Sequence, residues 1–223
     1  KGQCSMKIVA FIPIKLNNER IPGKNTKRFS DGTPLITFFL KTIVGVAEID
    51  ELYVFCSNPD IQRYFVPGAK YLKRPAFLDT QQATPQNIIE EFVKRIDADI
   101  YIMAHCTSPF VTKEHLEECI SAVKSEKHDS AFTGEKIQKL LWDNGGNPLN
   151  FDPSQISRTQ DLPSIYAEVS AAYVFRKEVF YKFRRRIGFN PYVTEVRGIE
   201  CIDIDYPEDF EIADAIYMNI IKK

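Results

Sequence analysis

The apolar run Lys7–Ile12 breaks at Pro13 into a polar loop, and that loop carries Lys15, Arg20, Lys24, Lys27 and Arg28 before the next apolar periodicity begins near Leu35. A run this apolar predicts a strand buried on both faces, as in a parallel sheet. A cationic loop leaving such a strand is where open α/β sheets bind phosphorylated ligands. An isolated basic run is more often a solvated face; its position at the end of the first buried strand favours an anion site. The loop is not a P-loop. That motif needs glycine at position 18 and serine or threonine at position 25, where this chain has Asn18 and Asn25. Its cations therefore act as separate side chains, helped by backbone donors around Gly23.

The rest of the chain repeats strand and helix. Glu51–Cys56, Lys70–Leu72, Asp99–Ala104 and Ser130–Thr133 read as strands. A helix follows Leu35, and Thr84-Pro85 and Thr112 start two more, with threonine as N-cap. The alternation predicts a mostly parallel sheet with helices on both faces. Residues 134–165 hold Gly145-Gly146, Pro148, Pro153 and Pro163 with weak periodicity, and read as an excursion from the core fold. Strands return at Ala167–Phe175, Tyr192–Val196 and Glu200–Ile204, a short helix covers Lys177–Arg186, and Pro207 opens the last helix. Residues 6–223 read as a single domain, and residues 1–5 as a foreign extension ahead of a natural-looking start at Met6.

The formal net charge is −1, so no global field favours nucleic acid or anionic membranes. Any anion site must come from local clustering. The five cysteines show no CxxC pair and no histidine spacing suited to zinc. Scattered free thiols and the lack of a long apolar run predict a cytoplasmic protein.

Other stretches carry chemistry. Asp203 and Asp205 alternate in Ile202–Asp209, so a strand there would project both carboxylates to one face. Such a pair beside a phosphate loop is the usual protein share of a Mg²⁺ site; alternatively, Asp205 caps the helix opened by Pro207. His105 follows the fourth strand, where it hydrogen-bonds a substrate, acts as a base, or is a satisfied structural side chain. A Cys106–His105 nucleophile pair is weak, because adjacent strand residues point to opposite faces. Ser57 and Arg74 end the second and third strands and can face the same crevice. Arg158 either pairs a substrate carboxylate in bidentate fashion or makes a surface salt bridge. Arg184, Arg185 and Arg186 read as a helix C-terminus complementing its dipole.

Together these stretches resemble the acylneuraminate cytidylyltransferases, the CMP-sialic acid and related CMP-nonulosonate synthetases. The family's first-loop pattern Pro-Ala-Arg-Gly-Gly-Ser-Lys-Gly-Ile-Pro-Gly-Lys-Asn aligns without a gap to Pro13–Asn25, matching Pro13, Ile21, Pro22, Gly23, Lys24 and Asn25. Arg20 has a counterpart in the related Kdo cytidylyltransferases. Further matches are Ser57, Arg74-Pro75-Ala76, Thr107-Ser108-Pro109, Arg158 with Gln160-Asp161-Leu162-Pro163, Tyr166, and Asp203-Ile204-Asp205 with Pro207-Glu208-Asp209. The departures are Lys15 for arginine, Asn18-Glu19 for Ser-Lys, His105 for glutamine, and Gln81 near a family aspartate. The resemblance implies a Rossmann-like nucleotidyltransferase fold. It also implies transfer of CMP from CTP to the anomeric hydroxyl of an acidic nine-carbon sugar, with release of pyrophosphate. By the same resemblance, Lys15, Arg20 and Lys24 hold the triphosphate, Asn25 reads cytosine, and Ser57 and Arg74 assist. Asp203 and Asp205 hold Mg²⁺, and His105, Arg158 and Tyr166 face the sugar. Residues 134–165 and about 176–190 form a homodimer contact. The alternatives are a nucleotidyltransferase for another sugar such as Kdo, and an inactive nucleotide-binding or interaction module.

Overall fold

Alternate residues of the first strand feed opposite faces of a seven-stranded sheet. The computed structural model describes residues 6–222, so the expected extension at 1–5 lies outside the described residues. In β1 (Ile8–Ile14), Ile8, Ala10, Ile12 and Ile14 enter one core, while Val9 and Phe11 enter the other. The first core is covered by α1 (Leu35–Val44) and α3 (Lys113–Lys124), the second by α2 (Pro85–Val93) and α4 (Lys177–Phe183). This period-2 division of a strand buried on both sides is the doubly covered sheet that the apolar run predicts. Phe11 stacks on Phe92 of α2 at 4.1 Å between ring centroids, fixing helix against strand.

The other strands are β2 (Glu51–Cys56), β3 (Ala69–Lys73), β4 (Ile100–Ala104), β5 (Ser130–Ile137), β6 (Ile165–Arg176) and β7 (Pro191–Val196). Their spatial order is β3-β2-β1-β4-β6-β5-β7. Only β6 runs against its neighbours, inserted between β4 and β5. The carboxyl ends of β1, β2 and β4 therefore open on one edge, which carries the cationic loop.

The sheet is longer around the excursion than expected. β5 continues past Thr133 to Ile137 after a register shift between Phe132 and Gly134, pairing Gly134 with Glu168 and Ile137 with Ile165. The segment outside the sheet is thus 138–164. Two other expectations change. The helix over 177–186 ends at Phe183, because Arg184 turns left-handed at φ 57° and pairs with Glu90 on α2. Glu200–Ile204 is not a strand. A 3-10 turn at Gly198–Cys201, entered through a left-handed Gly198, swings the chain off the sheet edge. The alternation of Ile202 and Ile204 with Asp203 and Asp205 persists in an extended segment. Ile204 is buried in a third apolar cluster, with Phe29, Leu35, Phe110 and Phe210.

That cluster joins the cationic loop to α5 (Pro207–Ile216). Phe29 stacks on Tyr217 at 4.2 Å, and the Ser30 amide donates to Asp214 at 2.7 Å. Asp31 accepts from the Thr33 amide and from Lys222, which hold its carboxyl below the usual range.

Candidate functional site

The loop after β1 is held at both ends and leaves its middle facing solvent. Asn25 forms the inner tie. It is buried, its amide donates to the Lys15 carbonyl at 2.8 Å, and its oxygen accepts from the Cys106 thiol at 3.2 Å. Its polar atoms are thus spent on the loop and on the turn after β4, not presented to a base. Cys106 is buried and its thiol is pushed up to about 12 by desolvation, which leaves it a packing residue rather than a nucleophile.

Lys24 forms the outer tie. Its Nζ donates to the Ile204 carbonyl at 2.5 Å and lies 3.4 Å from Asp205. Arg20 reaches the same carboxylate at 3.6 Å and lies over the Tyr206 ring. The aspartate two residues before Pro207 is therefore bracketed by two loop cations. It does not cap α5: Asp209 does, accepting from the amides of Asp205 and Tyr206 at 2.9 and 2.7 Å. Asp203, by contrast, is partly covered, and its Oδ1 is buried with no hydrogen-bond partner among the described residues. The two carboxylates are unequal, one in ion pairs and one with an unspent oxygen.

Between these elements opens a cleft of about 450 Å³ lined by Lys15, Arg20 and Lys24 together with Glu19, Gln81 and Asp205. Glu19 has a local partner: it accepts from the Gln81 amide at 2.7 Å, bridging the loop to the turn before α2. A second bridge runs from Asn17 to the Asp79 carbonyl at 3.2 Å.

Asp79, unremarked in the sequence, organises the neighbouring wall. Its carboxylate takes the Arg74 guanidinium and the Ser57 hydroxyl. Arg74 is buried and also donates to the Leu78 carbonyl. Ser57 and Arg74 thus meet on a carboxylate of this chain. The spacing Arg74-x-x-x-x-Asp79 is the one signal in the sequence that could have pointed to the pair.

The remaining sites separate. Arg158 is three-quarters exposed and spends its donors on Asp161, three residues on. The Tyr166 hydroxyl donates to Glu195 at 3.1 Å, on the extended part of β6. His105 sits at the sheet edge. Its Nδ1 is 2.8 Å from the Ser170 carbonyl and so carries a proton. Desolvation pushes its pKa down to about 4, so the ring is neutral at pH 7 and Nε2 is an acceptor. Among the described residues no three histidine, cysteine, aspartate or glutamate side chains cluster so as to hold a metal, and no helix is long and apolar enough to cross a membrane.

A largely parallel sheet with one reversed strand, opening through a cationic loop at its carboxyl edge, defines an α/β nucleotidyltransferase fold. Two among the solved structures that share it are similar over nearly the whole of both chains. One is CMP:2-keto-3-deoxy-manno-octonic acid synthetase complexed with CTP, with a TM-score of 0.70 and 18% identity over 95% of this chain and 98% of that one. The other is 4-diphosphocytidyl-2C-methyl-D-erythritol synthase from Anaerococcus prevotii, with a TM-score of 0.71 and 17% identity over 96% and 97%. Residues 9–219 match the family model described as cytidylyltransferase, and the chain belongs to that family. Its curated relatives include N-acylneuraminate cytidylyltransferases. That of Oncorhynchus mykiss is 25% identical over 93% of this chain and 49% of its own length. That of Streptococcus agalactiae serotype V is 23% identical over 92% and 52%. The chain thus spans about half the length of these relatives.

Proposed function

We propose that the protein transfers CMP from CTP to the anomeric hydroxyl of an acidic nine-carbon sugar and releases pyrophosphate. The observation that carries this reading is the convergence of Lys15, Arg20 and Lys24 on one open cleft at the carboxyl edge of the sheet. Three side-chain cations around a flexible polyanion suit a triphosphate, and their work is positioning and charge neutralisation. The acidic acceptor is supported by the N-acylneuraminate relatives, which match almost the whole chain.

Asp203 and Asp205 would hold Mg²⁺. The fit rests on the unspent, buried Oδ1 of Asp203. With so few protein donors, phosphate oxygens and waters would complete the shell, as is usual for this ion. When bound, Mg²⁺ supplies Lewis acidity at the phosphates and lowers the pKa of an attacking hydroxyl. Arg20 and Lys24 take over phosphate charge as they leave Asp205. Glu19 stays on Gln81, tying the loop to the turn before α2.

The assembly is a homodimer built on residues 134–165 and about 176–190. The exposed Trp142, Leu149 and Ile156 of the first segment support this. A second reading, an eight-carbon keto sugar acid as acceptor, is favoured by the fold shared with the CTP-bound synthetase. Pyrophosphate release from CTP, screened against both sugar classes, separates the two readings.

A further inference from the structure

The sequence singles out Arg158 as the arginine for an acceptor carboxylate, and leaves Arg186 as the tail of a helix. The structure reverses their standing. α4 ends at Phe183, so Arg186 lies beyond the helix and folds back onto β6. Its guanidinium carbon sits 3.6 Å from the centroid of the Tyr173 ring. Its side chain is only 24% exposed, yet it donates no hydrogen bond to any described residue; the nearest carboxylate, Glu168, stands off at 3.6 Å. Glu168 is itself engaged by the Tyr173 hydroxyl at 2.9 Å.

A guanidinium stacked on an aromatic face keeps its N–H groups in plane and available, in the fork geometry that matches a carboxylate. Largely covered donors left unspent are costly unless a ligand takes them. The same Tyr173 ring stands nearly perpendicular to the His105 ring, at 6.0 Å between centroids. His105 directs Nδ1 into the protein and leaves Nε2 as an acceptor suited to a hydroxyl. The next residue, Cys106, touches Asn25 of the cationic loop, so the turn after β4 joins this group to the base of that loop.

The geometry points to Arg186 as the residue that binds the acceptor's carboxylate, with His105 Nε2 accepting from a hydroxyl of the same molecule. The site therefore fits an anionic acceptor, a sugar acid in the reading above, and not a neutral sugar. This inference rests on the transfer reaction proposed above.

The test compares Arg186→Gln and Arg158→Gln in steady-state pyrophosphate release with CTP and N-acetylneuraminate. Arg186→Gln raises the acceptor KM at least about tenfold, the loss expected for charge-assisted hydrogen bonds, with the KM for CTP unchanged. Arg158→Gln tests the rival carboxylate site: a larger rise in the acceptor KM there than in Arg186→Gln overturns the assignment. An unchanged acceptor KM in Arg186→Gln, or an equal rise in the KM for CTP, overturns the assignment. Arg186→Lys, which keeps charge and bulk but loses the fork, controls for folding and recovers acceptor binding only in part. If the wild-type protein releases no pyrophosphate with any sugar acid, the proposed reaction fails separately. Calorimetric titration with N-acetylneuraminate then reads the site directly: binding lost in Arg186→Gln supports it, and no binding to the wild type overturns it.

Discussion

Replacing Lys24 with methionine keeps most of the length of the side chain and removes its charge, so it separates the two jobs the structure gives this lysine. The first is structural. Nζ donates to the carbonyl of buried Ile204 at 2.5 Å, and losing a charge-assisted hydrogen bond of this kind costs about 1.5–3 kcal/mol. The pairing with half-exposed Asp205 adds less than about 1 kcal/mol. Urea denaturation should show a loss of about 2–3 kcal/mol with an unchanged slope. The second job is electrostatic. At 3.4 Å, the separation now held from Asp205, a unit charge gains about 1 kcal/mol at the dielectric of water and about 5 kcal/mol at an effective constant of 20. The cleft is open, so the lower part of that range applies. CTP affinity by calorimetry should fall about 5- to 150-fold, corresponding to about 1–3 kcal/mol. A variant that loses stability but binds CTP within about twofold of the wild type would refute the phosphate role and leave Lys24 as a tie between loop and α5.

Four other outcomes follow from the same geometry. Asp205→Asn should reduce Mg²⁺-dependent turnover at least about tenfold while binding CTP more tightly than the wild type in EDTA, because Arg20 and Lys24 are released from their ion pairs; equal metal-free affinity would remove the competition from the account. Glu19→Lys should tighten CTP binding about fivefold or more with stability changed by less than about 1 kcal/mol, since the bond lost to Gln81 is exposed; weaker binding would show that Glu19 helps the ligand. His105 refuses a proton that the unfolded chain accepts between its ordinary pKa and about 4, so its contribution to stability is present at pH 7 and lost as pH falls through that window, by about 3 kcal/mol at pH 4. His105→Gln should lessen the acid loss by that amount in melts run from pH 7 to pH 4, and parallel curves would contradict it. Phe29→Ala should cost about 3–5 kcal/mol, since its buried ring stacks on both Tyr217 and Phe210, and thermal melts should show it; a loss under about 1 kcal/mol would mean that α5 does not anchor the loop.

The sequence reveals much of the fold because its signals are local. Glu51–Cys56 is a strand to the residue, and Thr84 and Thr112 cap the helices they were expected to start. The insertion of β6 against β4 is not local: no residue in Ile165–Arg176 announces which neighbour it will pair with. Alternation also misleads at Cys201–Asp205. The apolar and acidic periods are those of a strand, but Ile202 and Ile204 satisfy theirs by packing under the loop without a ladder. The cations of the site were legible from charge and placement, and Lys15, Arg20 and Lys24 do share one cleft. Partner choice was not. Whether Asn25 faces a base or Cys106, or Arg74 a ligand or Asp79, depends on contacts between segments far apart in the chain. Glu19, an anion where its family carries lysine, becomes intelligible only once Gln81 lies opposite it.

A pyrophosphate-release screen decides both the nucleotide and the acceptor. CTP, UTP, ATP and GTP are each offered with a panel of nonulosonic acids, an eight-carbon keto sugar acid, neutral hexoses and sugar phosphates, and the products are weighed by mass spectrometry. The expected result is Mg²⁺-dependent release with CTP and a nonulosonic acid, together with a product of the mass of the CMP-sugar. Release with a neutral sugar or a sugar phosphate in preference to every sugar acid, or no release with any acceptor, would contradict it.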